Sequence, residues 1–356
     1  MPDAESSEPP PIRLDCERTK MSILGFSRCA LTSCVAATLL AGCGGAQPPG
    51  AMPQSNAPQE RPAAGRNSSH GPANGDQLWA DGCVSRPFTG ICTFSYPAGK
   101  YLGWLEDYSG GAPYNMCADR LGHVFVISGD GSGFSVLVYD QDGRGPRVLR
   151  DRPNTWPSGC AVDPKTEDLA VANTAQEKRS GNVVIFSHAR GTPKTYRAPN
   201  LFDYAFCGYD DAGNLYVDGT NKSGAFELDE RAVGSEHFGS IALDRTIRKA
   251  GPIQWDGHHL AVGYGDKYGA AVLRVDITGS EGNVMGVTRL RGPGQAHTRL
   301  GPFWIAGRTI IASYGDVHGN PIGFWKYPEG GEPFRIIRHG SNEVSQRAVT
   351  VSVAAR

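Results

Sequence analysis

A short apolar segment returns along this chain at a nearly fixed interval. Its leading residue falls at Val124, Leu169, Leu215, Leu260 and Ile310, spaced by 45, 46, 45 and 50 residues. The five segments, VFVIS, LAVAN, LYVDG, LAVGY and IIASY, are too short for buried helices and run into loops rich in Gly, Asp or Asn, so they read as strands. In each unit a short strand ending near an Asp precedes the leader. A third strand follows, at 135–139, 183–186, 225–228, 272–275 and 323–327, and then a fourth. Turns such as QDGRGP, HARGTP and PEGGEP carry the residues a hairpin needs. Four short strands per unit at this period, with no convincing amphipathic helix, predict a β-propeller. A β-sandwich is the competing arrangement for the same strand content.

Five complete units leave two incomplete pieces. The tail, 348–353, reads as a first strand with no successor, while 77–79, 91–96 and 101–105 read as strands two to four with no first. Joined, they make a sixth blade and remove the open edge of the array. The expectation is therefore an all-β, six-bladed propeller over 77–356, its last blade closed by the C-terminal strand together with the N-terminal strands.

Charge narrows the partners. Thirty-five Lys and Arg against 36 Asp and Glu leave a net charge of -1, without the basic excess that phosphate recognition needs, which excludes nucleic acid as the ligand. The 47 glycines and 25 prolines in 356 residues match a chain that turns often.

The first 76 residues read as an address and a tether. Residues 29–42, CALTSCVAATLLAG, are uncharged, mostly apolar and too short to span a bilayer as a helix. They read as the core of a signal segment, 1–42, and Met21 is a better start than Met1 because five acidic residues lie between them. The run closes on Leu40-Ala41-Gly42-Cys43, which resembles a bacterial lipobox, with Cys43 the lipidated residue. Gly44 in place of Asp then implies the outer membrane if the cell is Gram-negative. Residues 43–76 are dense in Pro, Gly, Ala and Ser and read as a disordered stalk.

Of nine cysteines, Cys16, Cys29 and Cys34 fall in the signal segment. Cys83 and Cys92 flank a turn between two strands of the closing blade and are expected to form a disulfide in an oxidising compartment. Cys117, Cys160 and Cys207 are read as small buried residues of the inner strands, with a Cys160–Cys207 bridge as the alternative.

The strings 158–164 (SGCAVDP), 169–173 (LAVAN) and 211–217 (DAGNLYV) resemble the NHL-repeat and SMP-30/gluconolactonase-like propellers, and especially uncharacterised bacterial secreted proteins of that class. The likeness spans 78–354 and is specific for fold more than for function. In the lactonases a Glu, an Asn and an Asp hold a divalent metal in the channel. Asn173 and Asp218 resemble the last two, while no glutamate of the chain matches the first.

Counting six residues from each leader reaches Asp130, Ala175, Asn221, Asp266 and Asp316. Loops between second and third strands share one propeller face, so these oxygens would ring the channel mouth and suit a hard cation such as Ca²⁺ or a polyhydroxy ligand. The same Gly-Asp pairs are also ordinary turn chemistry. A Zn²⁺ site from His258, His318 and Asp316 is conceivable on the same grounds. The aspartates Asp119, Asp163, Asp210 and Asp256 are read as turn formers. Trp255, Trp304, Phe303, Phe324 and Trp325 are read as packing. No nucleophile elbow, Walker loop or dinucleotide fingerprint occurs.

The cofactor stays open, with a divalent cation, Ca²⁺ or Zn²⁺, as the candidate. The reading of function is an exported, lipid-anchored, monomeric binding or scaffold module at the bacterial surface or in the periplasm. Its ligand would be an unknown protein or carbohydrate. The alternative is a metal-dependent lactone hydrolase.

Overall fold

The structure is a computed structural model and describes residues 75–82, 90–106, 112–129, 134–150, 156–176, 179–266, 269–293, 300–315, 320–338 and 348–354. Strands β1 (Gln77–Asp81), β2 (Gly90–Ser95) and β3 (Tyr101–Glu106) belong to sheet I. Sheet II is β4 (Ala112–Ala118), β5 (Val124–Gly129), β6 (Phe134–Tyr139) and β7 (Arg147–Arg150). Sheet III is β8 (Trp156–Val162), β9 (Leu169–Thr174), β10 (Asn182–Phe186) and β11 (Lys194–Tyr196). Sheet IV is β12 (Asp203–Tyr209), β13 (Leu215–Thr220), β14 (Phe226–Arg231) and β15 (Gly239–Ser240).

The next strands are β16 (Ala242–Leu243), β17 (Ile253–Trp255), β18 (Leu260–Asp266), β19 (Gly269–Thr278) and β20 (Glu281–Leu290). They are followed by β21 (Leu300–Ala306), β22 (Thr309–Tyr314), β23 (Ile322–Lys326) and β24 (Gly330–Ile337). The meanders β17–β20 (V) and β21–β24 (VI) join through one parallel contact, Leu290 with Gly331, and β16 adds in parallel to β20, giving one nine-stranded sheet. Finally β25 (Val349–Ser352) returns to pair antiparallel with β1, so sheet I runs β25-β1-β2-β3. Asp81 fastens this closure: its Oδ1 accepts from the Ala348 N–H at 2.8 Å.

The repeated apolar segments are the second strands of their sheets, and all five leaders are fully buried. The fifth strand begins one residue before Ile310, at Thr309. These strands read as unbroken apolar runs because both faces are covered. Counting from the leader, even positions face the preceding sheet and odd positions the following one. Leu169 and Val171 thus pack against Phe125 and Ile127 of sheet II, whereas Ala170 and Ala172 pack against Leu215 and Val217 of sheet IV. The same rule sets Trp79 of sheet I against Val124 and Val126 of sheet II, and Ile311 of meander VI against Leu78 and Ala80 of sheet I. Six apolar clusters therefore follow one another from sheet to sheet and back to the first. Each fully buried Val, Leu or Ile contributes about 1.5–3 kcal/mol, so the interfaces between sheets supply most of the stability.

The first strand of each sheet has one edge unpaired and turned inward. Edge placement explains its prolines, since Pro113, Pro157 and Pro302 lie where the register of β4, β8 and β21 shifts and no ladder N–H is required. Neighbouring first strands approach closely. A Cβ on Gly159 would lie 2.9 Å from the Phe206 Cα, backbone against side chain with no room to give. Gln254 bridges β17 to β21, its Nε2 donating to the Ile305 carbonyl at 3.0 Å and its Oε1 accepting from the Ile305 N–H at 2.7 Å.

The cysteine expectation is corrected in one respect. Cys117 and Cys160 form a disulfide, with Cα atoms 5.9 Å apart, between β4 and β8. Alternation does set Cys117, opposite Phe125, and Cys160, opposite Val171, on opposite faces of their own sheets. In successive sheets, opposite faces are the ones that meet. Cys160 and Cys207 share the same sense of face, so they cannot bridge. Cys207 instead points at sheet III, with its Sγ 3.7 Å from the Ala170 carbonyl, and its thiol is free. Cys92 is disulfide-bonded; Cys83, its expected partner, lies outside the described residues, as does Cys43.

Candidate functional site

Among the described residues, the side chains proposed from the sequence each make contacts of their own. Asp130, Asp316 and His318 lie outside the described residues, and of Asp266 only the backbone is described. Asn221 closes its own turn, its Oδ1 accepting from the N–H groups of Ser223 at 2.9 Å and Ala225 at 3.0 Å, while its Nδ2 donates to Glu227 at 2.8 Å. Asn173 is fully buried, donates to Asn182 Oδ1 at 2.8 Å, and lies at an even position facing sheet II. Its Oδ1 has no hydrogen-bond partner among the described residues.

Asp218 is also fully buried, but at an odd position, facing meander V. Its two oxygens accept from the backbone N–H groups of Phe206 at 2.9 Å and Gly251 at 3.2 Å. Burial pushes its pKa well above the ordinary carboxylate value, against the pull of those two donors. It works as a tie between sheet IV and the segment entering meander V. Asn173 and Asp218 thus look into different inter-sheet contacts, and neither reaches the central space. Among the described residues, no group of three or more His, Cys, Asp or Glu side chains is placed to hold a metal.

The central space opens at the other end of the first strands, where they turn into the second. There a cavity of about 670 Å³ is lined by the closing residues of β4, β8, β12, β17, β21 and β25 and the turns that follow. The turns are built by the repeated aspartates. Asp119 Oδ1 accepts from the N–H groups of Leu121 and His123, Asp210 Oδ1 from Ala212 and Asn214, and Asp256 Oδ1 from His258 and His259, all within 2.9 Å. Asp163 accepts from Lys165 N–H and Thr166 O–H, both at 2.8 Å. Rigid turns of this kind fix the side chains that follow them at the cavity mouth.

Those side chains are acidic and apolar together. Among the described residues, Asp76, Asp119, Asp163, Glu167 and Asp211 line the space with one cation, Arg120. Arg120 Nη2 reaches Asp211 Oδ1 at 2.8 Å, and Trp255 Nε1–H donates to Asp211 Oδ2 at 2.9 Å. Leu121 and Val353 are 50% and 37% exposed on the same rim. Deeper in lie Met116, Phe206, Trp304 and the Cys117–Cys160 disulfide. Beside the rim, His123 Nδ1 and Asp119 Oδ2 are 2.6 Å apart. That hydrogen bond, foremost among several influences, raises the imidazole pKa above its usual value.

The sequence reading missed this site. It assigned Trp255 and Trp304 to packing with Phe303, Phe324 and Trp325. Phe303, Phe324 and Trp325 are indeed buried and Trp255 and Trp304 do pack against the apolar clusters, but Phe303, Trp255 and Trp304 also line the cavity. No side-chain period marks the lining, because the first strands present an edge, and not a face, to the central space. The available signal was the turn DDAGN, where Asp210 is consumed by its own backbone and Asp211 is left to face outward.

No family model matches the chain, and no curated protein matches it. Solved structures do. A chain of a nidogen/laminin complex is similar over 80% of this protein and all of its own length, at 11% identity and a TM-score of 0.56. A protein of unknown function from Bacteroides caccae is similar over 78% of this chain and 99% of its own, at 10% identity and a TM-score of 0.55. TolB from Acinetobacter baumannii is similar over 78% of this chain and 66% of its own, at 11% identity and a TM-score of 0.56. At such identities the likeness speaks for the fold alone, and it agrees with the sheet order and the inward first strands: the chain folds as a β-propeller.

Proposed function

We propose that this chain is an exported, lipid-anchored, six-bladed β-propeller of the NHL and SMP-30-like kind that acts as a binding module. Its binding surface would be the mouth formed by the turns between first and second strands. Meanders V and VI count as separate blades in this reading, since among the described residues a single pair, Leu290 with Gly331, joins their strand ladders. The observation that carries the binding role is the cavity of about 670 Å³ with an exposed apolar and acidic rim, a size and lining suited to a ligand. A protein partner is favoured, in keeping with the similar chain that comes from a nidogen/laminin complex. Lipid at Cys43 and the stalk to residue 76 would hold the propeller at a membrane surface, on the outer membrane in a Gram-negative cell. The hydrolase alternative would require Asn173 and Asp218 to share a metal, and their side chains face different sheets.

The test is site-specific photo-crosslinking in cells, with the photoreactive residue at Leu121 on the rim or at Met285, which is 59% exposed on an outer strand. A discrete adduct from position 121 and none from 285 is expected. Equal adducts from both positions, or none from 121, would contradict the assignment. Lipid anchoring is read separately: Cys43→Ala should abolish labelling by radioactive palmitate, and retained labelling would overturn it.

A further inference from the structure

We infer that the mouth takes an extended peptide segment of a partner in which a Lys or Arg stands beside aliphatic residues, and that this cation displaces Arg120 from Asp211. The inference rests on the binding-module reading and gives it a ligand chemistry.

Three observations carry it. First, the lining is acidic although the whole chain is nearly neutral: among the described residues five acidic ones line the cavity beside Arg120 alone, while the net charge of the chain is -1. Asp76, Asp119 and Asp163 give oxygens to backbone N–H groups, and Glu167 and Asp211 follow their turns on the rim. A potential of this sign concentrated in a concave, partly apolar space attracts a cation. Second, the Arg120–Asp211 pair spans the mouth between turns of sheets II and IV, and both side chains are more than half exposed, at 67% and 55%. An exposed pair of this kind is weak and exchanges readily for another cation. Asp211 stays in place without Arg120, because Trp255 holds its second oxygen at 2.9 Å. Third, Leu121 and Val353 offer apolar contact next to that carboxylate. The inward strand edges add backbone groups that an extended segment can engage. A neutral sugar would leave the carboxylates without a counter-charge, and an acidic peptide would be repelled.

The geometry makes the two partners of one ion pair act with opposite sign. Binding of a blocked hexapeptide of alternating Lys and Leu to the full chain is measured by calorimetry, beside the Glu/Leu counterpart. The Lys/Leu peptide should bind and the Glu/Leu peptide should not. Asp211→Asn should weaken binding by about tenfold, as expected when a charge-assisted contact is lost. Arg120→Ala should strengthen it by roughly threefold, because the competitor is gone. Weakening by both variants would mean that the pair merely shapes the mouth, and the displacement would be wrong. Equal binding of both peptides, or of neither, would overturn the ligand chemistry. Crosslinking from position 121 would still stand if a partner were captured there, so the two readings fail separately.

Discussion

Arg120 and Asp211 meet at 2.8 Å although they sit in the turns of sheets II and IV, with sheet III between them in the chain and in the packing. The contact is possible because both turns border the same cavity. Its energy is small, as both side chains are largely solvated. Arg120→Ala should therefore change the unfolding free energy by no more than about 0.5 kcal/mol, measured by urea denaturation. A loss above about 2 kcal/mol would show the pair to be structural.

The Cys117–Cys160 disulfide closes 43 residues of chain between two sheets that also share an apolar cluster. Loop-closure entropy for that length gives a stabilisation of about 3–4 kcal/mol. Cys117→Ser with Cys160→Ser should lower the thermal midpoint by several degrees and leave the far-ultraviolet spectrum unchanged. An unchanged midpoint would contradict the assignment.

Gly159 lets β12 lie against β8. Its replacement by Ala would force a methyl group against Phe206 Cα at 2.9 Å, and overpacking against backbone costs about 1–3 kcal/mol. Gly239→Ala is the comparison, since that site has no atom within 4 Å and no left-handed backbone, and it should fall within about 0.5 kcal/mol of the parent. Equal effects at the two positions would contradict the close approach of the inner strands.

His123 supplies a pH test. Its hydrogen bond to Asp119, the leading cause, raises its pKa in the folded protein above the ordinary 6.5. Protonated His123 therefore stabilises the fold. The contribution is complete below the unfolded value of 6.5 and disappears as pH rises through the higher folded value. The gap in urea midpoint between the parent and His123→Ala should narrow as pH rises above 6.5 and through the higher folded value. A gap that stays constant as the imidazole loses its proton would contradict the pairing.

Much of the architecture was legible because it rests on local periodicity. The leaders Val124, Leu169, Leu215 and Leu260 open their strands as expected, and the return of 349–352 to β1 follows from two incomplete units that fit each other. The turn aspartates were legible too, since Asp at the end of a strand bonds backbone close by. What the sequence could not show is relational. Face alternation sets Cys117 and Cys160 on opposite faces of their own sheets, yet pairing depends on which faces meet across an interface, and that follows only from the order of sheets. Likewise, Asn173 and Asp218 look equivalent as polar residues late in second strands, but they stand four and three places from their leaders. That difference of one turns them to opposite faces. The cavity lining escaped because strand edges leave no pattern in side chains.

The central claim concerns which end of the channel binds. Isotope-labelled protein titrated with the Lys/Leu hexapeptide tests it through amide and indole shifts. The account predicts perturbation at Arg120, Leu121, Asp211, Val353 and the Trp255 indole, with Asn173 and Asn221 unmoved. Shifts concentrated at Asn173 and Asn221, with the Trp255 indole silent, would place binding at the opposite end and contradict the account.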